Sequence, residues 1–302
     1  MAEIKRAIAL GFFDGVHLGH GELLKMTNKR AEEIGGEPSV LTFDVHPDTL
    51  VFNKEVPLIN SAISRQEIIN RCYGIKNVVF LHFNRRVMQM PWREFIENLI
   101  TELNIGWIIV GHDFCFGHRG EGTALRLKAY CEEHGLGCDI IPACTIDGEI
   151  ISSTRIRELI LQGEIEKANE FLGHPHTLSD TVHSGYHLGT KMGTPTINMY
   201  FPEGVLVPKH GVYASRVFLD DGLSYCAVTN VGVRPTVGEN NKVNVESYLL
   251  NYSGNLYGRQ ARLEFLSYIR PEVKFASVDE LGAQIKRDAA IAEEYFNRLQ
   301  NT

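Results

Sequence analysis

Residues 7 to about 162 alternate short apolar runs with amphipathic stretches, and that alternation limits the possible folds more than any other feature. AIAL (7–10), SVLTF (39–43), VVFLH (78–82), WIIVG (107–111) and CDIIPA (138–143) have the length and apolar content of buried strands. Helical patterns at about 20–34, 64–73, 92–104 and 123–134 separate them. Gly35-Gly36 and Gly135 supply left-handed stops, Pro91 suits a first turn, and Ser64-Arg65-Gln66-Glu67 has the form of a capping box. Strand and helix in alternation require right-handed crossovers. An α/β domain with a parallel sheet covered on both faces is therefore expected.

The pattern changes after about residue 173. A helix at 154–161 stops at Gly163, a short one runs to Leu172, and Gly173-His174-Pro175-His176 closes the segment. β-rich runs follow at 211–219, 225–233, 244–251 and 261–270, with Asp221-Gly222 as a hairpin turn between the first two. Ser277-Val278-Asp279-Glu280 is a second capping box, after which Leu281, Ile285, Ala289, Ala292, Phe296 and Leu299 recur at helical spacing. A compact antiparallel barrel with a C-terminal helix packed on it is expected. The length of 302 residues suits two domains, divided at 1–178 and 179–302.

Hydrophobic residues make up 44% of the chain, enough for two ordinary cores. Thirty basic against 37 acidic residues leave a net charge of −7, which disfavours a nucleic-acid-binding face and leaves room for a local phosphate pocket. The cysteines at 72, 115, 131, 138, 144 and 226 form no C-x-x-C pair and read as reduced thiols. The first fifteen residues meet Gly11 and Asp14 before a signal-peptide core can form, and no apolar run is long enough to span a membrane. A cytoplasmic location without membrane contact is expected; the sequence does not set the oligomeric state.

Chemistry concentrates at the end of the first strand. Gly11-Phe12-Phe13-Asp14-Gly15-Val16-His17-Leu18-Gly19-His20 runs into a helix, and its glycines let the backbone turn tightly and approach a ligand. The helix start offers unpaired N–H groups and partial positive charge, and two imidazoles with Gly19 between them can serve the same anion. Ile151-Ser152-Ser153-Thr154-Arg155-Ile156-Arg157 places capping hydroxyls before a helix and the Arg157 fork within it. Gly111-His112-Asp113-Phe114-Cys115-Phe116-Gly117 follows the fourth strand, where ligands collect in open parallel sheets.

These motifs resemble the nucleotidyltransferase superfamily with its H-x-G-H, and within it the bacterial FAD synthetase branch. The resemblance implies a Rossmann-like N-terminal domain that adenylylates FMN. His17, His20 and Arg157 would be its catalytic residues, with Gly11, Phe13, Asp14, Gly15, Asp113, Phe116, Ser152, Ser153 and Thr154 as nucleotide or flavin contacts. His46, in Thr42-Phe43-Asp44-Val45-His46-Pro47, matches the family's T-F-x-x-H-P and is equally readable as structural.

The second half is similar to riboflavin kinases. Gly193-Thr194-Pro195-Thr196-Ile197-Asn198 resembles their G-F-P-T-A-N, Asn230-Val231-Gly232-Val233-Arg234-Pro235-Thr236 their N-I-G-x-R-P-T, and Val245-Glu246 their V-E pair. That resemblance implies a six-stranded antiparallel barrel. Thr196 and Asn198 would hold Mg²⁺ with ATP, and Glu246 would serve as base for the riboflavin hydroxyl. Gly189, Gly193, Asn230, Arg234 and Arg270 would be nucleotide or flavin contacts. Phe12, Thr190 and Thr194 depart from the usual family residues, and Thr190 costs the kinase loop an arginine.

The chain is thus expected to phosphorylate riboflavin to FMN and adenylylate FMN to FAD, with ATP, riboflavin and FMN as small-molecule partners. A flavin- or nucleotide-binding regulator, or an FAD synthetase with a weakened kinase site, is the alternative. An H-x-G-H transferase with another acceptor is a third reading, which the kinase-like second half disfavours. No P-loop motif occurs, and Gly120-Glu121-Gly122 fails the G-x-G-x-x-G pattern because Leu125 takes the third glycine position. His183 and His187 read as loop residues.

Overall fold

A computed structural model describes residues 4–53, 55–184, 196–233 and 243–300, without the side chains of Val278, Leu299 and Gln300. Two compact units divide the chain, residues 1–153 and 154–302.

The first unit carries five parallel strands, β1 (Arg6–Leu10), β2 (Glu37–Phe43), β3 (Asn77–Leu81), β4 (Ile105–Gly111) and β7 (Gly137–Ile141), in the order β3-β2-β1-β4-β7. The short pairs β5 (Cys115–Phe116) with β6 (Gly122–Thr123) and β8 (Thr145–Ile146) with β9 (Glu149–Ile150) are antiparallel. The helices are α1 (Leu18–Glu33), α2 (Pro47–Val51), α3 (Ala62–Tyr73), α4 (Arg85–Gln89), α5 (Trp92–Leu103) and α6 (Ala124–Glu133).

Side-chain alternation explains why both faces are covered. Ile8 and Leu10 of β1, with Ile108 and Val110 of β4, pack against Phe95, Ile96 and Leu99 of α5 and Leu127 of α6. Ala7, Ala9 and Ile109 point the other way, against Leu23 and Leu24 of α1 and Ile68 and Ile69 of α3. Truncating such a side chain to alanine typically costs about 2–5 kcal/mol. The strand order reverses between β1 and β4, so the crevice beyond their carboxyl ends is where such a sheet receives ligands.

Two helix starts differ from the sequence reading in ways that matter to the motifs. Helix α1 starts at Leu18, which puts His20 inside its first turn. Helix α3 starts at Ala62 and is capped by the Ser61 hydroxyl, which accepts from Ser64 N–H at 3.1 Å, so Ser64–Glu67 is not the capping box. An Ser-x-x-Ser pair three residues upstream served the same orphan amides. Helices α2 and α4 are further additions.

The second unit opens with α7 (Ser153–Gln162), whose first residue is the last of the first unit, and α8 (Ile165–Leu172). Its sheet holds β10 (His176–Thr181), β11 (Thr196–Met199), β12 (Gly211–Leu219), β13 (Ser224–Val233), β14 (Val243–Leu249) and β15 (Gln260–Arg270), antiparallel in the order β10-β15-β12-β13-β14-β11. The six antiparallel strands form a half-barrel, with a bridge between His183, just beyond β10, and Asn198 of β11. The hairpin at Asp221-Gly222 forms as read, with Gly222 at φ 85°. His176, read as the end of the closing segment, opens a paired strand that runs to Thr181. The C-terminal helix, α9 (Val278–Gln300), lays Ala292 and Phe296 on Val212, Ala214, Val228 and Leu266.

Candidate functional site

Strand β1 delivers the chain into a turn held by buried side chains rather than by glycine alone. Phe13 and Val16 are fully buried and take left-handed backbone conformations, φ 54° and 44°, on either side of Gly15 at φ 80°. For a β-branched valine this is strained backbone, tolerated where the surrounding packing over-determines it. The turn delivers His17 as the cap of α1, its Nδ1 accepting the His20 backbone N–H at 3.3 Å. That bond leaves the proton of the neutral ring on Nε2.

The two imidazoles stack, with centroids 3.7 Å apart and planes 18° from parallel, and Phe13 packs on His20 at 5.1 Å. A side chain at Gly19 would press on the His17 ring at 3.2 Å. His20 Nδ1 is buried without a hydrogen-bond partner. Burial first, then the charges of His17 and Arg65, hold His20 well below the usual histidine range, so it is neutral at neutral pH. A neutral imidazole at a helix start donates hydrogen bonds without carrying a charge.

The other nominated residues of this unit fall into place unequally. Asp14 turns inward, its Oδ1 accepting from the Ile59 and Asn60 amides at 2.9 and 3.4 Å, while its carbonyl accepts from Ser153 Oγ at 2.9 Å. Ser153 is the last residue of the first unit; beside it Ser152 is half-buried, Thr154 is exposed, and Arg157 is half-buried. His46 caps α2 and meets the Phe12 ring edge-on at 4.6 Å, which places it against the turn that follows Gly11. Asp113 stands exposed beyond β4. Phe116 is buried among Phe114, Trp92 and Phe95. Gly117, at φ 75°, lies where a β-carbon would fall 2.6 Å from the Trp92 Cα.

In the second unit, register decides the site. Asn198 of β11 and Asn230 of β13 both lie opposite Glu246 of β14. Thr196, two residues before Asn198, donates its hydroxyl to Glu246 Oε1 at 2.7 Å. Asn244 Nδ2 donates to Asn198 Oδ1 at 3.1 Å, while the buried Asn244 Oδ1 has no partner. Asn230 donates to Glu272 at 3.0 Å. Thr196, Asn198, Asn230 and Glu246 are therefore brought together.

Arg270 is engaged elsewhere, its guanidinium forked onto the buried Asp288 of α9 at 2.7–3.2 Å. Gly189, Gly193 and Arg234, with Thr190, Thr194 and His187, lie outside the described residues. His183 donates its backbone N–H to Asn198 and pairs with Asp180.

Sequence reasoning missed two residues. Arg65 is fully buried on the face of α3 that carries Ile68 and Ile69, and a charge within that apolar stripe was the available signal. Asn244 lies two residues before Glu246, on the same face of β14, a spacing legible once Glu246 is placed on a strand.

Comparison with known proteins agrees with this two-part reading. A family model described as FAD synthetase matches residues 1–155, and one described as riboflavin kinase matches residues 172–296. The bifunctional riboflavin kinase/FMN adenylyltransferase of Listeria monocytogenes is 32% identical over 99% of this chain and 95% of its own. This chain belongs to the bifunctional riboflavin kinase/FMN adenylyltransferase family. Relatives of the same description from Bacillus subtilis and Escherichia coli K12 are 32% and 33% identical over 99% and 96% of this chain, and 95% and 92% of their own.

A crystal structure of a macrolide-efflux protein from Streptococcus pneumoniae is also similar, with TM-score 0.84 and 29% identity over 97% of this chain and 95% of that one. Among the described residues here, no helix is long and apolar enough to cross a membrane. The family's two model matches carry the two constellations separately. The paired imidazoles fall in the first, and the Thr196–Glu246 pair in the second.

Proposed function

We infer that the chain phosphorylates riboflavin with ATP to FMN and transfers AMP from ATP to FMN, releasing diphosphate and leaving FAD. The observation that carries the reading is the presence of both constellations in one chain, each within its own unit: stacked imidazoles at a helix start, and a carboxylate bonded to a threonine hydroxyl within an oxygen-rich strand cluster. The functional division assigned is 1–178 for adenylyl transfer and 179–302 for the kinase.

In adenylyl transfer the FMN phosphate attacks the ATP α-phosphorus directly and diphosphate leaves. His17, through Nε2–H, and neutral His20 donate hydrogen bonds to the charge that develops, aided by the N-terminus of α1. Gly11, Phe13, Gly15 and Asp14 shape the turn, and His46 flanks it. Ser152, Ser153, Thr154, Asp113 and Phe116 are assigned contact roles on their motifs, and Arg157 a catalytic one.

In the kinase Glu246 orients the riboflavin hydroxyl and takes its proton as that oxygen attacks the γ-phosphate. Asn230, Arg234, Arg270, Gly189 and Gly193 are assigned flavin or nucleotide contacts by motif.

Mg²⁺ suits the donor set. Thr196, Asn198 and Asn244 offer hard oxygen atoms, and the buried Asn244 Oδ1 lacks any other partner. When bound with ATP, the ion would neutralise phosphate charge. Because Thr196 gives its hydrogen to Glu246, its oxygen lone pairs remain available to a cation. A cytoplasmic location is proposed, supported by the dependence on ATP and by six cysteines that all stand as free thiols.

The test is incubation with riboflavin, ATP and Mg²⁺ followed by separation of the flavins. FMN and then FAD are expected. Bound but unchanged riboflavin would establish the regulator reading instead, and FAD made only from supplied FMN would establish a single-activity enzyme.

A further inference from the structure

We propose that Arg65 is a positioning residue for adenylyl transfer, locking the Phe12 turn and the carboxyl end of β2 into one rigid wall beside His17 and His20. The proposal rests on the adenylyltransferase reading of that site.

Arg65 is the largest fully buried side chain of the protein's described residues, with no accessible surface. Its Nη1 donates to three acceptors at 2.9 Å: the Phe12 carbonyl, the Thr42 hydroxyl and the Phe43 carbonyl. The Thr42 hydroxyl donates in turn to the Phe12 carbonyl at 2.7 Å. The guanidinium also lies over the Phe12 ring at 4.6 Å. One cation thus gathers the residue after Gly11 and the last residue of β2, two elements whose separation fixes where the histidine-bearing turn leaves the sheet.

A role in folding alone accounts poorly for this arrangement. Burying a charge is costly, and a neutral residue of similar volume in the apolar stripe of α3 would serve stability as well. The carboxylates that act on Arg65 are Asp14, on the turn, and Asp44, just beyond β2. Burial outweighs them and lowers the Arg65 proton affinity, yet the group stays charged at any working pH. Its Nε and Nη2 are buried with no hydrogen-bond partner, so the cation's charge is incompletely neutralised by the protein.

That residual field reaches the site. The charged and titratable groups acting on His20 are His17 from the turn and Arg65 from α3, and both oppose protonation of an imidazole that burial already disfavours. Arg65 therefore has two effects on the same machinery: it fixes the position of the turn, and it helps keep His20 a neutral donor. The first is read in kcat, the second in a pH profile that a purely structural residue would leave in place.

The experiment compares the full-length chain with Arg65→Met and Arg65→Lys, measuring FAD formation from FMN and ATP between pH 5 and 9. Both tryptophans, Trp92 and Trp107, lie in the first unit, so their fluorescence melt reports folding of that unit alone. For Arg65→Met, kcat should fall about 10²-fold, the scale of a small misplacement of catalytic groups, with the ATP KM little changed. The acid limb of its profile should move to higher pH. Arg65→Lys keeps the charge and loses the three-acceptor grip, so its acid limb should stay while kcat falls roughly tenfold.

A folded Arg65→Met with kcat within threefold of wild type and an unmoved acid limb overturns the proposal. If Arg65→Met does not melt cooperatively, Arg65→Lys decides: kcat within twofold of wild type overturns it. Failure of the wild-type chain to make FAD would sink the adenylyltransferase reading itself, a separate result.

Discussion

The Thr196 hydroxyl donates to Glu246 Oε1 at 2.7 Å across the β11–β14 pair. The bond ties the carboxylate of β14 to the hydroxyl of β11. Glu246→Gln retains shape and loses the basic oxygen, so FMN formation should fall about 10²–10⁴-fold while riboflavin still binds. FAD formation from supplied FMN should be nearly unchanged. Kinase turnover within a few-fold of wild type would place the base elsewhere.

His20→Ala removes one of two stacked donors at the start of α1. FAD formation should drop on the order of 10²–10³-fold, the range for a single preorganised donor, while riboflavin phosphorylation persists. Wild-type FAD synthesis by this variant, assayed with FMN and ATP, would count against the paired-imidazole site.

Asp288, 1% exposed, is the counter-ion that holds Arg270 between β15 and α9. Asp288→Ala leaves a half-buried guanidinium without its partner and should destabilise the second unit by about 3 kcal/mol. Urea unfolding followed by circular dichroism measures this. If Arg270 is instead held mainly by ligand, stability in the absence of flavin and ATP would barely change.

Stability should also fall in mild acid because of His176. The ring is fully buried beside Phe201 and Phe265, neither nitrogen has a partner, and burial followed by His174 pushes it from 6.5 to about 3. Between those values the unfolded chain binds a proton that the folded chain refuses. The stability present above pH 6.5 is therefore lost as pH falls through that window, by about 2 kcal/mol at pH 5. His176→Phe should flatten this dependence in denaturation curves at pH 7.5 and 5. An unchanged slope would locate the acid sensitivity in other groups.

Local chemistry was legible along the chain because it acts over a few residues. Apolar alternation in AIAL and WIIVG specified strands, Asp221-Gly222 a hairpin, and the helix after His17 its own anion-friendly start. The motifs around His17, His20, Thr196 and Glu246 stood out for the same reason, since each is a short run of residues.

Tertiary structure alone decided which way the side chains turned and what they met. Thr196 and Glu246 are fifty residues apart and meet through antiparallel register between β11 and β14. Asp14 also holds the 59–60 amides, and Arg270 also holds Asp288, partners that distant segments bring and no local motif names. Arg65 looked like part of a helix cap and is buried under the turn that follows β1. Periodicity and turn preference are written in neighbouring residues. Burial, charge pairing and register depend on elements the sequence separates by tens of positions, and those only the folded chain brings together.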